Sequence, residues 1–211
     1  MKVEDVKPFK DAKTVAQIAM VYQQAFGNAP WNEGYKCPIC ETVVPLNYFD
    51  LVCPVCLKKA NSINLIEYWP ISKVISDFYA EMAKPDSFCL TVEDKQVIGF
   101  VWGYRLETTP TTSLYLEAPG LDKIIKKRFT SAERDFFYID EVAVSPKYQG
   151  QGIGYRLMEN VFYRYPGKTL YLRTLENSAM FKLATKMEGK TVLKISKGRV
   201  IMRMIRLDIL R

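Results

Sequence analysis

An α/β protein built on a mixed β-sheet is the fold class that this sequence predicts, and three observations carry the prediction. Stretches rich in β-branched and aromatic residues pair off across short turns, as hairpins do. Amphipathic helical stretches are interleaved between them, which favours a sheet flanked by helices over separate all-α and all-β regions. The composition, 48% hydrophobic, 25% charged and 13% aromatic over 211 residues, is that of a globular chain. A chain of this size buries roughly 70% of its unfolded surface, enough for one sizeable core. One domain over residues 1–211 with an insertion at 31–69 is therefore expected. No apolar run approaches the ~20 residues of a membrane span, and residues 1–10 lack the apolar stretch of a signal peptide. The expectation is a cytoplasmic protein with no membrane partner.

The elements follow in order. Lys2–Phe9 alternates weakly and reads as a short edge strand. From Thr14, placed to cap, Val15, Ile18, Ala19, Tyr22, Ala25 and Phe26 keep helical spacing until Gly27–Pro30 stops them. Residues 31–69 show no helical period and hold four of the five cysteines; the fifth, Cys89, reads as a buried strand residue. Ile71, Val74, Ile75, Phe78, Tyr79 and Met82 form an amphipathic helix ended by Pro85. Ser87–Glu93 and Gln96–Arg105 make a hairpin across Asp94-Lys95, and Phe136–Val144 makes a third strand. Between them, 106–134 is irregular and carries the basic run Lys126-Lys127-Arg128. A glycine-rich turn opens a helix with Ile153, Leu157, Met158, Val161 and Phe162, ended by Pro166-Gly167. Thr169–Arg173 is a strand, Ala179–Met187 a short helix, and Thr191–Ser196 and Val200–Leu207 are strands turning at Lys197-Gly198.

Composition also excludes chemistry. With no histidine, Ser-His and Cys-His mechanisms and histidine-ligated metals are ruled out. The net charge of +7 is uneven: residues 1–70 carry 7 basic and 7 acidic groups, 71–120 carry 4 and 7, and 121–211 carry 19 and 9. An anionic ligand would find its favourable field in the last third, although a plain solvated basic face has the same composition.

Cys37, Cys40, Cys53 and Cys56 form CxxC–x12–CxxC. Each pair offers two thiolates on one tight turn, and two such turns complete a tetrahedron. A structural zinc site of the ribbon or knuckle kind is expected; a rubredoxin-like iron site has the same ligands. Paired disulfides are disfavoured in a cytosolic chain, and a redox CxxC needs a helix start. Glycine often follows the second cysteine of such pairs, whereas here Glu41 and Leu57 do. Four closed thiolates leave no open position, so the metal's expected role is to fold a segment too small for its own core.

The segment from Tyr138 to Gly154 is the most informative. A strand runs into a turn with Gly150, Gly152 and Gly154, and a helix starts at once, which presents backbone N–H groups suited to phosphate. Neither the dinucleotide GxGxxG spacing nor the phosphate loop GxxxxGK[ST] is met. Gln149-Gly150-Gln151-Gly152-Ile153-Gly154, after the strand Val142-Ala143-Val144 and the lead-in Pro146-Lys147-Tyr148, resembles the acetyl-CoA motif of the GNAT N-acetyltransferase superfamily. The resemblance spans roughly residues 1–30 and 65–205, with the hairpin arm Val97–Gly103, the Leu172-Arg-Thr stretch and Asn177 compatible with it.

That resemblance implies a splayed mixed sheet flanked by helices, with acetyl-CoA as cosubstrate. It implies a pantetheine arm along Val142, Ala143 and Val144, and a pyrophosphate on the amides of Gln149, Gly150, Gln151, Gly152, Ile153, Gly154 and Tyr155. Asn177 matches a position near the coenzyme and reads equally as a helix cap. The implied activity is acyl-CoA-dependent transfer of an acetyl group to a primary amine, with 106–134 and the stretch around Trp31 and Tyr35 bordering the acceptor.

An amine of pKa ~10.4 must lose a proton before it attacks, so a base is required. Without histidine, the motif-strand carboxylates are the candidates: Glu141 first, for its reach, then Asp140, the two facing opposite sides by strand alternation. Surface or structural carboxylates remain the alternative for both. Many members of the superfamily carry a tyrosine seven residues after the asparagine, which protonates the leaving thiolate; here Ala184 stands there. Tyr138, Tyr148 and Tyr171 are unranked substitutes. A second reading is a non-catalytic acyl-CoA-binding module whose zinc segment and basic surface recruit a protein or nucleic acid. Nucleic acid is disfavoured, because 31–69 balances Lys36, Lys58 and Lys59 against Glu33, Glu41, Asp50 and Glu67.

Overall fold

The computed structural model describes residues 2–6, 11–48, 52–56, 65–105 and 136–205. The basic run at 126–128, the irregular segment 106–134, Leu57 and the ends of the first and last expected strands lie outside the described residues.

Asp11 starts the first helix, α1 (Ala12–Phe26), by accepting the Thr14 amide at 2.9 Å. The expected cap, Thr14, is instead the third residue inside, because a capping oxygen must reach an amide three residues on. Near its C-terminus, Tyr22 and Phe26 pack at 4.5 Å between ring centroids. The second helix, α2 (Ile71–Met82), buries Val74, Phe78 and Met82, as its spacing predicts.

The main sheet takes β1 (Val3–Asp5), β5 (Phe88–Asp94), β6 (Gln96–Arg105), β7 (Phe136–Val144), β8 (Thr169–Leu175), β9 (Lys190–Lys194) and β10 (Arg199–Met204). Its order among the described residues is β1-β5-β6-β7-β8-β10-β9. Only the β7–β8 pair is parallel; the other neighbours are antiparallel. The β5–β6 turn holds Lys95 at φ 62°, and the β9–β10 turn holds Lys197 at 60° and Gly198 at 70°.

Helices cover both faces. On one, α1 and α2 bring Val15, Ile18, Tyr22 and Phe78 against Phe100, Trp102 and Ala143. On the other, α3 (Ile153–Arg164) and α4 (Ala179–Lys186) bring Leu157, Met158, Val161 and Ala184 against Ile98, Ile139 and Leu172. Apolar residues thus fill both sides of the central strands. That explains why β6 reads as a near-continuous hydrophobic run.

Between α1 and α2 stands a second sheet of two-residue strands: β2 (Tyr35–Lys36), β3 (Val43–Val44) and β4 (Ile66–Glu67), in the order β3-β2-β4. Strands so short leave no periodicity to read.

Candidate active site and metal centre

Strands β7 and β8 pair from Phe136↔Thr169 to Ile139↔Leu172 and then part. Beyond that point β7 keeps β6 on one side and β8 keeps β10, so the sheet opens as a V. No described residue pairs with the freed β7 edge from Asp140 onward. The opening belongs to a cleft of about 530 Å³. Its walls run from Asp140 and Glu141, along Val142, Ala143 and Val144, to Gln149, Gly150, Gly152, Ile153, Gly154 and Tyr155.

The split coincides with a β-bulge. Trp102 pairs with Glu141 and Gly103 with Ile139, which leaves Asp140 as the extra residue. A bulge bends its strand and shifts the alternation by one residue. Ile139 therefore packs on the α3 face, while Glu141 and Ala143 turn to the α1 face. Asp140 also faces α1, accepting from Trp102 Nε1 at 3.2 Å, and Glu141 accepts from the Tyr22 hydroxyl at 3.2 Å. The rings of Tyr22 and Trp102 stack with centroids 5.8 Å apart, so their two acceptors sit on one side of the sheet. The expectation that Asp140 and Glu141 face opposite sides is thus corrected: strict alternation does not survive the extra residue.

Their environment shifts both groups. Burial, then the charge of Asp140, holds the Glu141 carboxyl well above the usual carboxylate range, against the pull of the Tyr22 hydrogen bond. Burial also raises Asp140, opposed by the Trp102 hydrogen bond, Lys84 and Arg173. Tyr22 is pushed up by burial and by the Glu141 charge, so its hydroxyl stays a donor. A carboxylate in such a setting is a stronger base than a solvated one.

At the other end, Gly150 and Gly152 both hold φ 78°, and a Cβ on either would meet nothing within 4 Å. The left-handed backbone, not crowding, calls for glycine there. Gly154 differs: it lies inside the first turn of α3, where a Cβ would stand 3.3 Å from Leu183. No side chain caps α3, whose N-cap is Gly152, so its first amides are left for water or an anion. Gln149 Nε2 donates to the Val144 carbonyl at 3.0 Å and ties the turn to the free edge of β7. Gln151 is exposed at the tip of the turn. Asn177 is exposed in the turn before α4, and the helix-cap reading of it is corrected: Ser178 caps α4, accepting the Phe181 amide at 3.0 Å.

Ala184 is fully buried in the α3–α4 core, as its small side chain allows. Of the three tyrosines, Tyr138 and Tyr148 line the cleft, whereas Tyr171 packs on Phe136 at 5.0 Å. The far wall holds residues that the sequence did not single out: Tyr22, Tyr68 and Trp69. Tyr22 sits at an ordinary core spacing of its helix, and nothing in that spacing marks a hydrogen bond to a residue 119 positions away. Trp31 lines the cleft, and Tyr35 packs under the cysteine segment.

The four cysteine sulphurs lie within 4.8 Å of one another. Cys37–Cys56 is 3.9 Å and Cys40–Cys53 is 3.5 Å, too long for disulfides of ~2.05 Å. Four thiolates ~2.3 Å from a shared zinc ion would stand about 3.8 Å apart, so the donor set fits. Glu41, where glycine is commonest, holds φ 60°, and its ammonium partner Lys36 lies 3.0 Å away. Cys89 is buried, as expected.

The sequence model of the acetyltransferase (GNAT) family matches residues 57–187. No curated protein matches the chain significantly. Among solved structures, the PH1933 protein of Pyrococcus horikoshii OT3 is 18% identical with a TM-score of 0.58, over 97% of this chain and 98% of its own. A histone acetyltransferase HPA2-related acetyltransferase of Corynebacterium glutamicum is 14% identical with a TM-score of 0.54, over 97% and 95%. The PaiA N-acetyltransferase of Thermoplasma acidophilum, solved with coenzyme A, is 12% identical with a TM-score of 0.51, over 98% and 100%. These likenesses concern the fold. Among the described residues, no helix is long and apolar enough to cross a membrane.

Proposed function

Since this chain belongs to the acetyltransferase (GNAT) family, we propose that it is an acyl-CoA-dependent N-acetyltransferase that moves the acetyl group of acetyl-CoA to a primary amine. Residues 1–211 form its catalytic domain, and 31–69 are an insertion within it. The observation that carries this reading is the split between β7 and β8, with an uncapped helix start at one end and two carboxylates at the other. The coenzyme A bound to the Thermoplasma protein of the same fold supports the choice of cosubstrate.

Each part of the cleft then has a task. The free backbone edge of Val142, Ala143 and Val144 pairs with the amides of the pantetheine arm, as an added strand would. Gln149, Gly150, Gln151, Gly152, Ile153, Gly154 and Tyr155 take the pyrophosphate on backbone N–H groups. Asn177, in the exposed turn ahead of α4, borders the same coenzyme. Glu141 accepts the proton of the incoming ammonium, and Asp140 assists by keeping that carboxylate basic. The neutral nitrogen attacks the thioester carbonyl, the C–S bond breaks, the sulphur leaves as thiolate, and the nitrogen releases its second proton to water as the amide forms. With alanine at 184 and a thiol pKa of ~8.5, that second proton can reach the sulphur through water. Cys37, Cys40, Cys53 and Cys56 would hold a zinc ion that supplies fold and no chemistry.

Release of coenzyme A from acetyl-CoA, followed with a panel of primary amines, tests the proposal. Coenzyme binding without turnover for any amine would favour the second reading, an acyl-CoA-binding module that recruits a macromolecule. Salt-sensitive retention on nucleic acid would identify that partner.

A further inference from the structure

Glu33, Tyr68 and Trp69 line the far wall of the cleft, yet none lies on the main sheet. Glu33 stands just before β2, and Tyr68-Trp69 leave β4. The two strands pair directly, Tyr35↔Glu67 and Lys36↔Ile66, and the Tyr68 amide donates to the Gly34 carbonyl at 3.0 Å. Trp69 Nε1 donates to Glu33 Oε2 at 2.9 Å and joins the two halves of the wall.

The same small sheet ends in the thiolates. β2 runs straight into Cys37, whose amide donates to the Thr42 carbonyl at 2.8 Å, and Gly34 donates to Val44 at 3.0 Å. Glu33 and Cys37 are four residues apart, roughly 13 Å of extended chain. Among the described residues, the core beneath the sheet consists of Cys37, Val44, Cys53, Cys56 and Leu65, with Tyr35 and Tyr48 packed on them. Two-residue strands over so small a core do not hold together unaided. α1 grips the inner end of the wall, through Gln23 Nε2 to the Trp69 carbonyl at 3.0 Å and the Tyr22–Trp69 ring contact at 5.4 Å. At the outer end the four sulphurs meet within 4.8 Å of one another.

We infer that the metal-loaded cysteine segment is the positioning element of the acceptor wall, holding Glu33, Tyr68 and Trp69 so that metal occupancy governs acceptor affinity and leaves coenzyme affinity alone. The inference rests on the acetyltransferase reading above. The coenzyme turn joins β7 to α3, and neither of these pairs with β2 or β4, although the charge of Glu33 reaches Glu141 on β7. A metal-dependent change should therefore reach the acceptor wall and the carboxyl of Glu141 and leave the coenzyme turn as it is.

The test uses the zinc-loaded protein, the same protein after chelation, and chelated protein given zinc back. n-Butylamine, 1,4-diaminobutane and a lysine-containing peptide serve as probe acceptors with acetyl-CoA. Expected on zinc removal is a KM for the best probe raised at least about tenfold, a coenzyme Kd by calorimetry unchanged within about twofold, and full recovery with zinc. Hydrogen exchange should rise at 33–36 and 66–69 and stay constant in β6 and β7. Trp69→Phe removes the donor to Glu33 and keeps an aromatic ring, the smaller phenyl, at that place. It should raise the acceptor KM about tenfold, the scale of a hydrogen bond to a charged group, with zinc content and coenzyme Kd unchanged. If chelation unfolds the whole chain, that variant decides. Equal acceptor KM and equal exchange with and without zinc, or a normal KM in Trp69→Phe, would overturn the inference while leaving the acetyltransferase reading intact. A zinc-loaded protein that neither binds coenzyme nor turns over any probe would remove that reading instead.

Discussion

Glu141 is held by two opposed neighbours: the Tyr22 hydroxyl, which favours its charged form, and Asp140, whose charge disfavours it. Burial adds to the second, so the carboxyl ionises later than the ~4.3 of a free glutamate. The base must be ionised to act, so kcat/KM should fall on the acid side at a pH well above 4.3. Glu141→Gln should lower the rate by about 100- to 10,000-fold at neutral pH, with the deficit shrinking at high pH as more amine arrives neutral. Two neighbours shift the acid limb in opposite directions. Tyr22→Phe removes the lowering hydrogen bond and moves it to higher pH, whereas Asp140→Asn removes a like charge and moves it to lower pH. Stability follows from the same shift. A carboxyl whose folded pKa is raised destabilises the fold once pH passes the unfolded value, and increasingly up to the folded value. Glu141→Gln should therefore raise Tm at pH 8 and not at pH 4. A pH profile that none of the three variants moves would exclude Glu141 as the base.

The glycine turn ahead of α3 works as an element, through its backbone. Gly152 and Gly167 make a matched pair: φ is 78° and 71°, and a Cβ would meet nothing within 4 Å at either. A valine at either position carries the same left-handed strain, roughly 1–2 kcal/mol. Gly152 caps α3 at the cleft, and Gly167 follows the other end of that helix. Gly152→Val and Gly167→Val should thus lower Tm alike, while only Gly152→Val abolishes acetyl-CoA binding by calorimetry. Equal coenzyme affinity in the two variants would take the phosphate role away from the turn. The cysteine segment should behave differently, because its strands are two residues each and its four thiolates are placed to share a metal ion. Elemental analysis should find about one zinc per chain. Chelation should lower Tm before it lowers the rate constant of the chemical step at saturating substrate.

At the scale of the whole molecule, the described residues of the main sheet carry one apolar layer on each face. Leu157, fully buried on the α3 side, and Phe78, 1% exposed on the α2 side, lie in different layers. Leu157→Ala should cost about 2–5 kcal/mol and Phe78→Ala about 3–5 kcal/mol, each by transfer and cavity terms. With the sheet between them, the double variant should lose close to the sum in denaturant unfolding. A markedly smaller loss would mean that the layers relax together. At temperatures where either single variant is folded, coenzyme affinity should be normal, since neither residue lines the cleft.

Much was readable from the chain itself, wherever the cause is local. The Ile71–Met82 spacing, the Asp94-Lys95 turn, the Phe136–Val144 strand and the glycine turn are set by neighbours within a few residues, and the structure keeps them. The cysteine cluster was legible for the same reason: its spacing is the chemistry. Local cues misled where two capping candidates stood within three residues of each other, with Asp11 capping in place of Thr14 and Ser178 in place of Asn177. The parting of β7 from β8 and the bulge at Asp140 belong to no single segment. They depend on which strands the sheet brings together and where their pairing stops. That one extra residue turns Asp140 and Glu141 to the same side and sets Tyr22 and Trp102 against them. The acceptor wall is equally nonlocal, a bond between Glu33 and Trp69 that exists because β2 lies beside β4. The sequence by itself determined which residues could bind coenzyme, proton and metal, since those capacities reside in side chains and short turns. Tertiary structure alone decided which of them share a cleft, because register and strand pairing are settled by contacts between segments far apart in the chain.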